Sequence, residues 1–264
     1  MRRNPLLSLV ILPLFVFGTY VAPCEGADTA SGTAIVAIRT PEMIVVAADS
    51  RAIHKKDEPD PKPFCKIRKV NDAFVTAYGL YDETGTGFDL WSIIWFSTIG
   101  HTKLSDKIRS FEVHVEAPLK SALERIRKEE PSEFKKRCIE RPPLGVMFFG
   151  VEDETLKLVS CQYRVLLPLL SESPIGLMTT RRDCPGLDCL DGNIGFLATH
   201  SESDLDEFRS SFNSEVRKGN VVDFARKFIQ MAIDKDSVTF GPPIDIISVT
   251  KDGANWVQVK EECQ

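Results

Sequence analysis

Apolar positions crowd into two short runs near the start of the chain, Thr33-Ala34-Ile35-Val36-Ala37-Ile38 and Met43-Ile44-Val45-Val46-Ala47-Ala48. Both are nearly continuous and rich in β-branched residues, the pattern of strands buried on both faces. Arg39-Thr40-Pro41-Glu42 lies between them and predicts the reversal, with Pro41 fixing φ. A hydroxyl residue after Gly32 opens the first run, and Asp49-Ser50-Arg51 follows the second. In an antiparallel pair the start of one strand lies beside the end of its neighbour. Thr33 and Asp49 are therefore predicted to be close in space.

Downstream, residues 53–63 carry Pro59, Pro61 and Pro63 among alternating acids and lysines and read as an exposed loop. Residues 66–78 read as two strands around Asn71-Asp72. Residues 82–99 read as helix, with Leu90, Trp91, Ile94 and Trp95 forming a core-facing side. A second helix is predicted over 119–138, with Pro131 opening a new turn, before Pro142-Pro143 marks a return to strands. Residues 145–151 and 156–165 read as a hairpin, 175–179 and 194–198 as further strands, and 181–192 as a loop. Ser203 predicts a helix cap, Gly219-Asn220 the end of that helix, and 221–235 the next one. Residues 244–249 and 256–259 complete a last hairpin around Lys251-Asp252-Gly253. Hairpins outnumber β-α-β units, so the fold class is α+β, with two stacked, largely antiparallel sheets and a helix layer on each side.

The first 26 residues read as a signal peptide: Met1-Arg2-Arg3, then an apolar run from Leu6 to Tyr20, short for a span of ~20 residues. An uncleaved membrane anchor is the alternative. Small residues at Cys24-Glu25-Gly26 and at Ala30-Ser31-Gly32 offer two cleavage points, leaving 27–32 as a short propeptide and 33–264 as one domain. The expected location is secreted or periplasmic, with no stable membrane insertion after cleavage. A net charge of -5 and the absence of long basic runs argue against nucleic acid as a partner. Of seven cysteines, Cys184 and Cys189 flank a turn-rich loop and are the best disulfide candidates. His54, His101, His114 and His200 are scattered, so neither a metal nor another cofactor is expected.

Gly32-Thr33-Ala34-Ile35-Val36-Ala37, with Ala48-Asp49-Ser50-Arg51 placing Asp49 sixteen residues after Thr33, resembles the mature start of proteasome β-type subunits, which are N-terminal-nucleophile hydrolases. Cys65-Lys66-Ile67, Ala77-Tyr78-Gly79, Ala232-Ile233-Asp234-Lys235-Asp236-Ser237 and Pro243 to Gly253 extend the likeness. The resemblance implies a four-layer αββα sandwich, cleavage before Thr33, and a homo-oligomer. It also implies that Thr33 attacks a peptide or other amide substrate to form an acyl-enzyme ester. Lys66 stands one residue later than the family's active-site lysine. Gly79 matches the glycine that binds the substrate backbone, and it is the candidate oxyanion donor. Asp236 matches a supporting aspartate, with Thr239 and Ser201 near two family serines. Two departures stand out. Phe240 precedes Gly241 where the family often has paired glycines, and Ala198 to Ser203 replaces a Gly-Ser-Gly-Ser segment.

The chemistry is coherent only with a free Thr33 amine. An internal amide has no basicity, whereas an α-amino group titrates near pH 7.7–8.0 and can take the hydroxyl proton. A lysine ammonium nearby favours the neutral amine, and an aspartate holds that ammonium. Two other functions remain open: an inactive scaffold or assembly subunit of the same fold, and an amidase for small substrates.

Overall fold

The computed structural model describes residues 33–51, 64–167, 173–187, 189, 195–198, 214–216 and 218–263. The expected signal peptide and propeptide, the loop at 53–63, His54, His200, Ser201 and the helix opening at Ser203 lie outside the described residues.

The two opening runs form strands Ile35–Arg39 (β1) and Ile44–Ala48 (β2), paired antiparallel with Ile35 opposite Ala48. Ile67–Val70 (β3) and Ala73–Gly79 (β4) form the hairpin expected around Asn71, which turns at φ 57°. Asp82–Glu83 (β5) and Phe88–Asp89 (β6) make a small ribbon before the helices Leu90–Thr98 (α1), Leu104–Glu129 (α2) and Pro131–Phe134 (α3). Leu144–Glu152 (β7), Thr155–Leu166 (β8), Gly176–Cys184 (β9) and Gly195–Ala198 (β10) follow. The chain then runs through Val221–Lys235 (α4), Asp245–Thr250 (β11) and Gly253–Gln258 (β12).

These strands make two five-stranded antiparallel sheets, β10-β1-β2-β11-β12 and β3-β4-β7-β8-β9. The period of two along a strand sends alternate residues to opposite faces, and β1 uses both. Val36 and Ile38 pack with Val45 and Ile246 against Phe224, Phe228 and Ile229 of α4. Ile35 and Ala37 pack with Val46 and Ile247 against Phe74, Met147, Phe149 and Leu158 of the second sheet. The far face of that sheet, with Val75, Val146 and Phe148, packs on Ile108, Phe111, Val115 and Leu119 of α2. Burial on both faces explains why β1 and β2 read as unbroken apolar runs, and it fixes their register.

Several boundaries differ from expectation. Residues 82–89 are not helical. The buried carboxylate of Glu83 accepts from the Gly85 and Thr86 amides (2.9 and 2.8 Å), tying a turn that contains two glycines. The helix starts only after Asp89, whose carboxylate accepts from the Trp91 amide at 3.0 Å. The next helix begins at Leu104 rather than 119 and carries Pro118 inside it. Strand β9 continues through Thr180 to Cys184, where a loop was expected, because these polar residues pair with β8 along the outer edge of the sheet. Strand β12 starts at Gly253 rather than 256. Trp95 does not join the core: it is 49% exposed, beside Phe96 at 74%. Trp91 is half-buried with the Arg68 guanidinium 4.2 Å above its ring.

Candidate active site

Thr33 stands two residues before β1 and Asp49 directly follows β2, so the antiparallel register brings the two ends together. The Asp49 amide donates to the Ala34 carbonyl (3.1 Å), and the Ala34 amide donates to Asp49 Oδ1 (2.9 Å). Asp49 Oδ2 accepts from the amides of Arg51 and Gly241, both at 3.1 Å. Lys66, immediately before β3, donates its Nζ proton to Asp49 Oδ1 at 2.6 Å, and neither side chain is exposed. A single carboxylate thus joins four segments that are distant in sequence. Its three backbone donors compensate for much of the cost of burying a charge.

Burial pulls the Lys66 ammonium down to about 8, against the attraction of Asp49 and the hydrogen bond it accepts; Lys260 lowers it further and Asp245 opposes. Those last two residues form a second buried pair behind the first. Lys260 Nζ lies 2.5 Å from Asp245 Oδ2, off the direction of a good hydrogen bond, and donates to the Ser50 hydroxyl and to the Phe64 carbonyl (2.9 Å). The Ser50 hydroxyl in turn donates to the Pro243 carbonyl. A disulfide between Cys65 and Cys263 ties the residue before Lys66 to the C-terminal turn. The expected disulfide between Cys184 and Cys189 is present as well.

Thr33 is buried, and its Oγ1 lies 3.1 Å from the phenol oxygen of Tyr81. Tyr81 donates to the Ala77 carbonyl in β4. Its ring packs against Phe64 (centroids 4.9 Å apart) and stacks near Trp91 (6.3 Å). Burial raises its phenol well above the usual range, so it stays protonated.

Of the sequence-derived site residues, Thr33, Asp49 and Lys66 are brought together. Gly79 ends β4, two residues from Tyr81, with φ 94°, and a Cβ there would come 2.1 Å from the Pro143 carbonyl oxygen. Its backbone conformation alone requires glycine. Asp236 caps α4: its carboxylate accepts from the Val238 and Thr239 amides (3.2 and 3.0 Å) and so shapes the turn leading to Gly241. Asp236 and Thr239 therefore reach the centre through that turn, by way of the Gly241 amide on Asp49. Arg51 braces the same turn, its guanidinium donating to the Ser237 and Val238 carbonyls. A Cβ on Gly241 would come 2.5 Å from Arg51 Nε and push that guanidinium off the turn it braces.

Sequence reasoning missed Tyr81, the Asp245–Lys260 pair and the Cys65–Cys263 disulfide. Tyr81 lies two residues beyond a glycine already singled out, and that proximity was the available signal. Cys263 sits 198 residues from Cys65 and carried none, and Lys260, only 15 residues from Asp245, was marked by nothing in the residue pattern. Among the described residues no cluster of His, Cys, Asp or Glu could hold a metal ion, and no helix is long and apolar enough to cross a membrane. No family model matches the chain, and no curated protein is significantly similar to it.

Proposed function

We propose that this chain is an N-terminal-threonine hydrolase of the proteasome β-type family, with the four-layer N-terminal-nucleophile fold. In this reading it is secreted or periplasmic, acts as a homo-oligomer, and cleaves peptide or other amide bonds. One observation carries the reading: the buried Lys66–Asp49 pair is hydrogen-bonded to the Ala34 amide, the residue next to Thr33. An ammonium held there favours a neutral α-amine at Thr33 once the bond to Gly32 is cut. Three cores interleaved with two antiparallel sheets support the fold assignment. Two disulfides support an oxidising compartment.

The proposed cycle has two halves. Thr33 Oγ1 bonds to the substrate carbonyl carbon while its proton passes to the α-amine, which returns it to the departing amine. Water then attacks the ester with the same amine as base, releasing the acid and restoring the hydroxyl. A backbone amide near Gly79 is the candidate donor to the oxyanion.

Hydrolysis of a panel of fluorogenic peptides by wild type and by Thr33→Ala tests the proposal. Turnover by wild type that is abolished in Thr33→Ala and retained in Thr33→Ser supports it. Equal turnover by wild type and Thr33→Ala would exclude it. The burial of Thr33 favours a second reading, a scaffold that never exposes this residue. An intact Gly32–Thr33 bond in the purified protein would support that alternative.

A further inference from the structure

We infer that Tyr81 is a positioning residue that fixes the orientation of the Thr33 hydroxyl; this rests on the reading of Thr33 as nucleophile. A phenol has a single proton, and a carbonyl oxygen can only accept. Tyr81 donates to the Ala77 carbonyl, so its proton is committed there. The 3.1 Å contact between Thr33 Oγ1 and Tyr81 Oη is therefore donated by Thr33. The threonine proton is thereby directed at Tyr81 Oη.

Tyr81 is itself held firmly. It is 4% exposed, its ring is wedged between Phe64 and Trp91, and Arg68 lies over Trp91. Phe64 is in turn tied to the site, its amide donating to the Ser50 carbonyl at 2.8 Å and its carbonyl accepting from Lys260. The orientation of the nucleophile is thus built on β4 and the aromatic stack rather than on β1 alone. A tyrosine that stays protonated cannot serve as the base. During attack the Thr33 proton must leave Tyr81 Oη and pass to the α-amine as the bond to the substrate carbon forms. What Tyr81 supplies is the starting geometry, a contribution of the kind that proximity and orientation make.

The test uses the matured protein, its start at Thr33 checked by intact mass, and its Tyr81→Phe variant, which keeps the ring and removes one oxygen. Acylation by a peptidyl β-lactone is followed by intact mass between pH 6 and 9 and resolved into a saturating rate and a half-saturating concentration. The inference predicts a saturating rate lower by about tenfold to a hundredfold, with the half-saturating concentration, the pH midpoint and the melting temperature close to wild type. An unchanged saturating rate overturns it, and so does a loss that tracks the melting temperature or shifts the midpoint. Thr33→Ala separates the two ways of failing. If Thr33→Ala is acylated as fast as wild type, or wild type is not acylated at all, the nucleophile reading falls and takes the inference with it. If Thr33→Ala is inert while Tyr81→Phe matches wild type, only the role of Tyr81 falls. A readout independent of activity uses protein labelled with carbon-13 at the tyrosine ζ position. Thr33→Val should shift the Tyr81 resonance, and an unmoved resonance contradicts the hydrogen bond itself.

Discussion

Replacing Asp49 by asparagine preserves the shape of the side chain and turns one acceptor into an NH2 donor. In the native protein Oδ1 receives the Ala34 amide and Lys66, while Oδ2 receives the Arg51 and Gly241 amides. Whichever way the new amide turns, two of these donors face another donor. With the asparagine oxygen kept toward Lys66, the Arg51 and Gly241 amides are orphaned at a cost of about 1–2 kcal/mol each. Lys66 loses its counter-charge and escapes by releasing its proton. Because its pKa is already pulled to about 8, reaching neutrality at pH 7 adds only about 1 kcal/mol. Together these give a loss of about 3–5 kcal/mol, a large fraction of the roughly 5–15 kcal/mol that holds a domain folded. Urea unfolding followed by tryptophan fluorescence measures it, with Asp252→Asn in the exposed β11–β12 turn as a control expected within about 0.5 kcal/mol of wild type. A loss below about 1 kcal/mol for Asp49→Asn would refute the claim that this carboxylate organises the centre.

Lys66 has a folded-state pKa below its unfolded value of 10.5, so the unfolded chain binds more protons between about pH 8 and 10.5. Stability should rise with pH across that window by about 3 kcal/mol relative to Lys66→Met; urea unfolding of both proteins across that pH range checks this, and parallel curves would contradict it. If Lys66 must be charged for turnover, kcat against pH should fall with a midpoint near 8, and a rate still rising at pH 9 would exclude that role. Removing the Cys65–Cys263 bridge with Cys263→Ala opens a loop of 198 residues and should cost about 2–5 kcal/mol, more than Cys189→Ala at a separation of 5. Equal losses in chemical denaturation would contradict the difference in loop length.

The sheets were the most legible part of the chain, for a physical reason. Strands β1 and β2 are buried on both faces, so their apolar runs are unbroken, and the hairpins at Asn71 and Asp153 turn at positive φ on residue types that tolerate it. Helix α4 could be read to the residue because its buried positions recur at helical spacing between Asn220 and Asp236. Helix α2 could not, since Pro118 interrupts a pattern that tertiary packing of Ile108, Phe111 and Val115 nevertheless sustains. Residues 82–89 misled because Trp91 and Ile94 carry helical periodicity that the cap at Asp89 cuts short. At the site, Thr33 and Asp49 follow from strand pairing alone, while Lys66 was found through the family likeness. The Tyr81 contact joins positions 48 residues apart, and Lys260, though only 15 residues from Asp245, is also held by Ser50 and Phe64 from the other end of the chain, which no local pattern encodes.

Everything proposed for the reaction depends on a free amine at Thr33, so the most direct measurement is the N-terminal residue of the protein after maturation. Intact mass with Edman sequencing on the protein recovered from a secreting host reads it. The account predicts a chain beginning at Thr33, with a Thr33→Ala chain retaining the residues before position 33. A wild-type protein that begins upstream and stays so on prolonged incubation would contradict it.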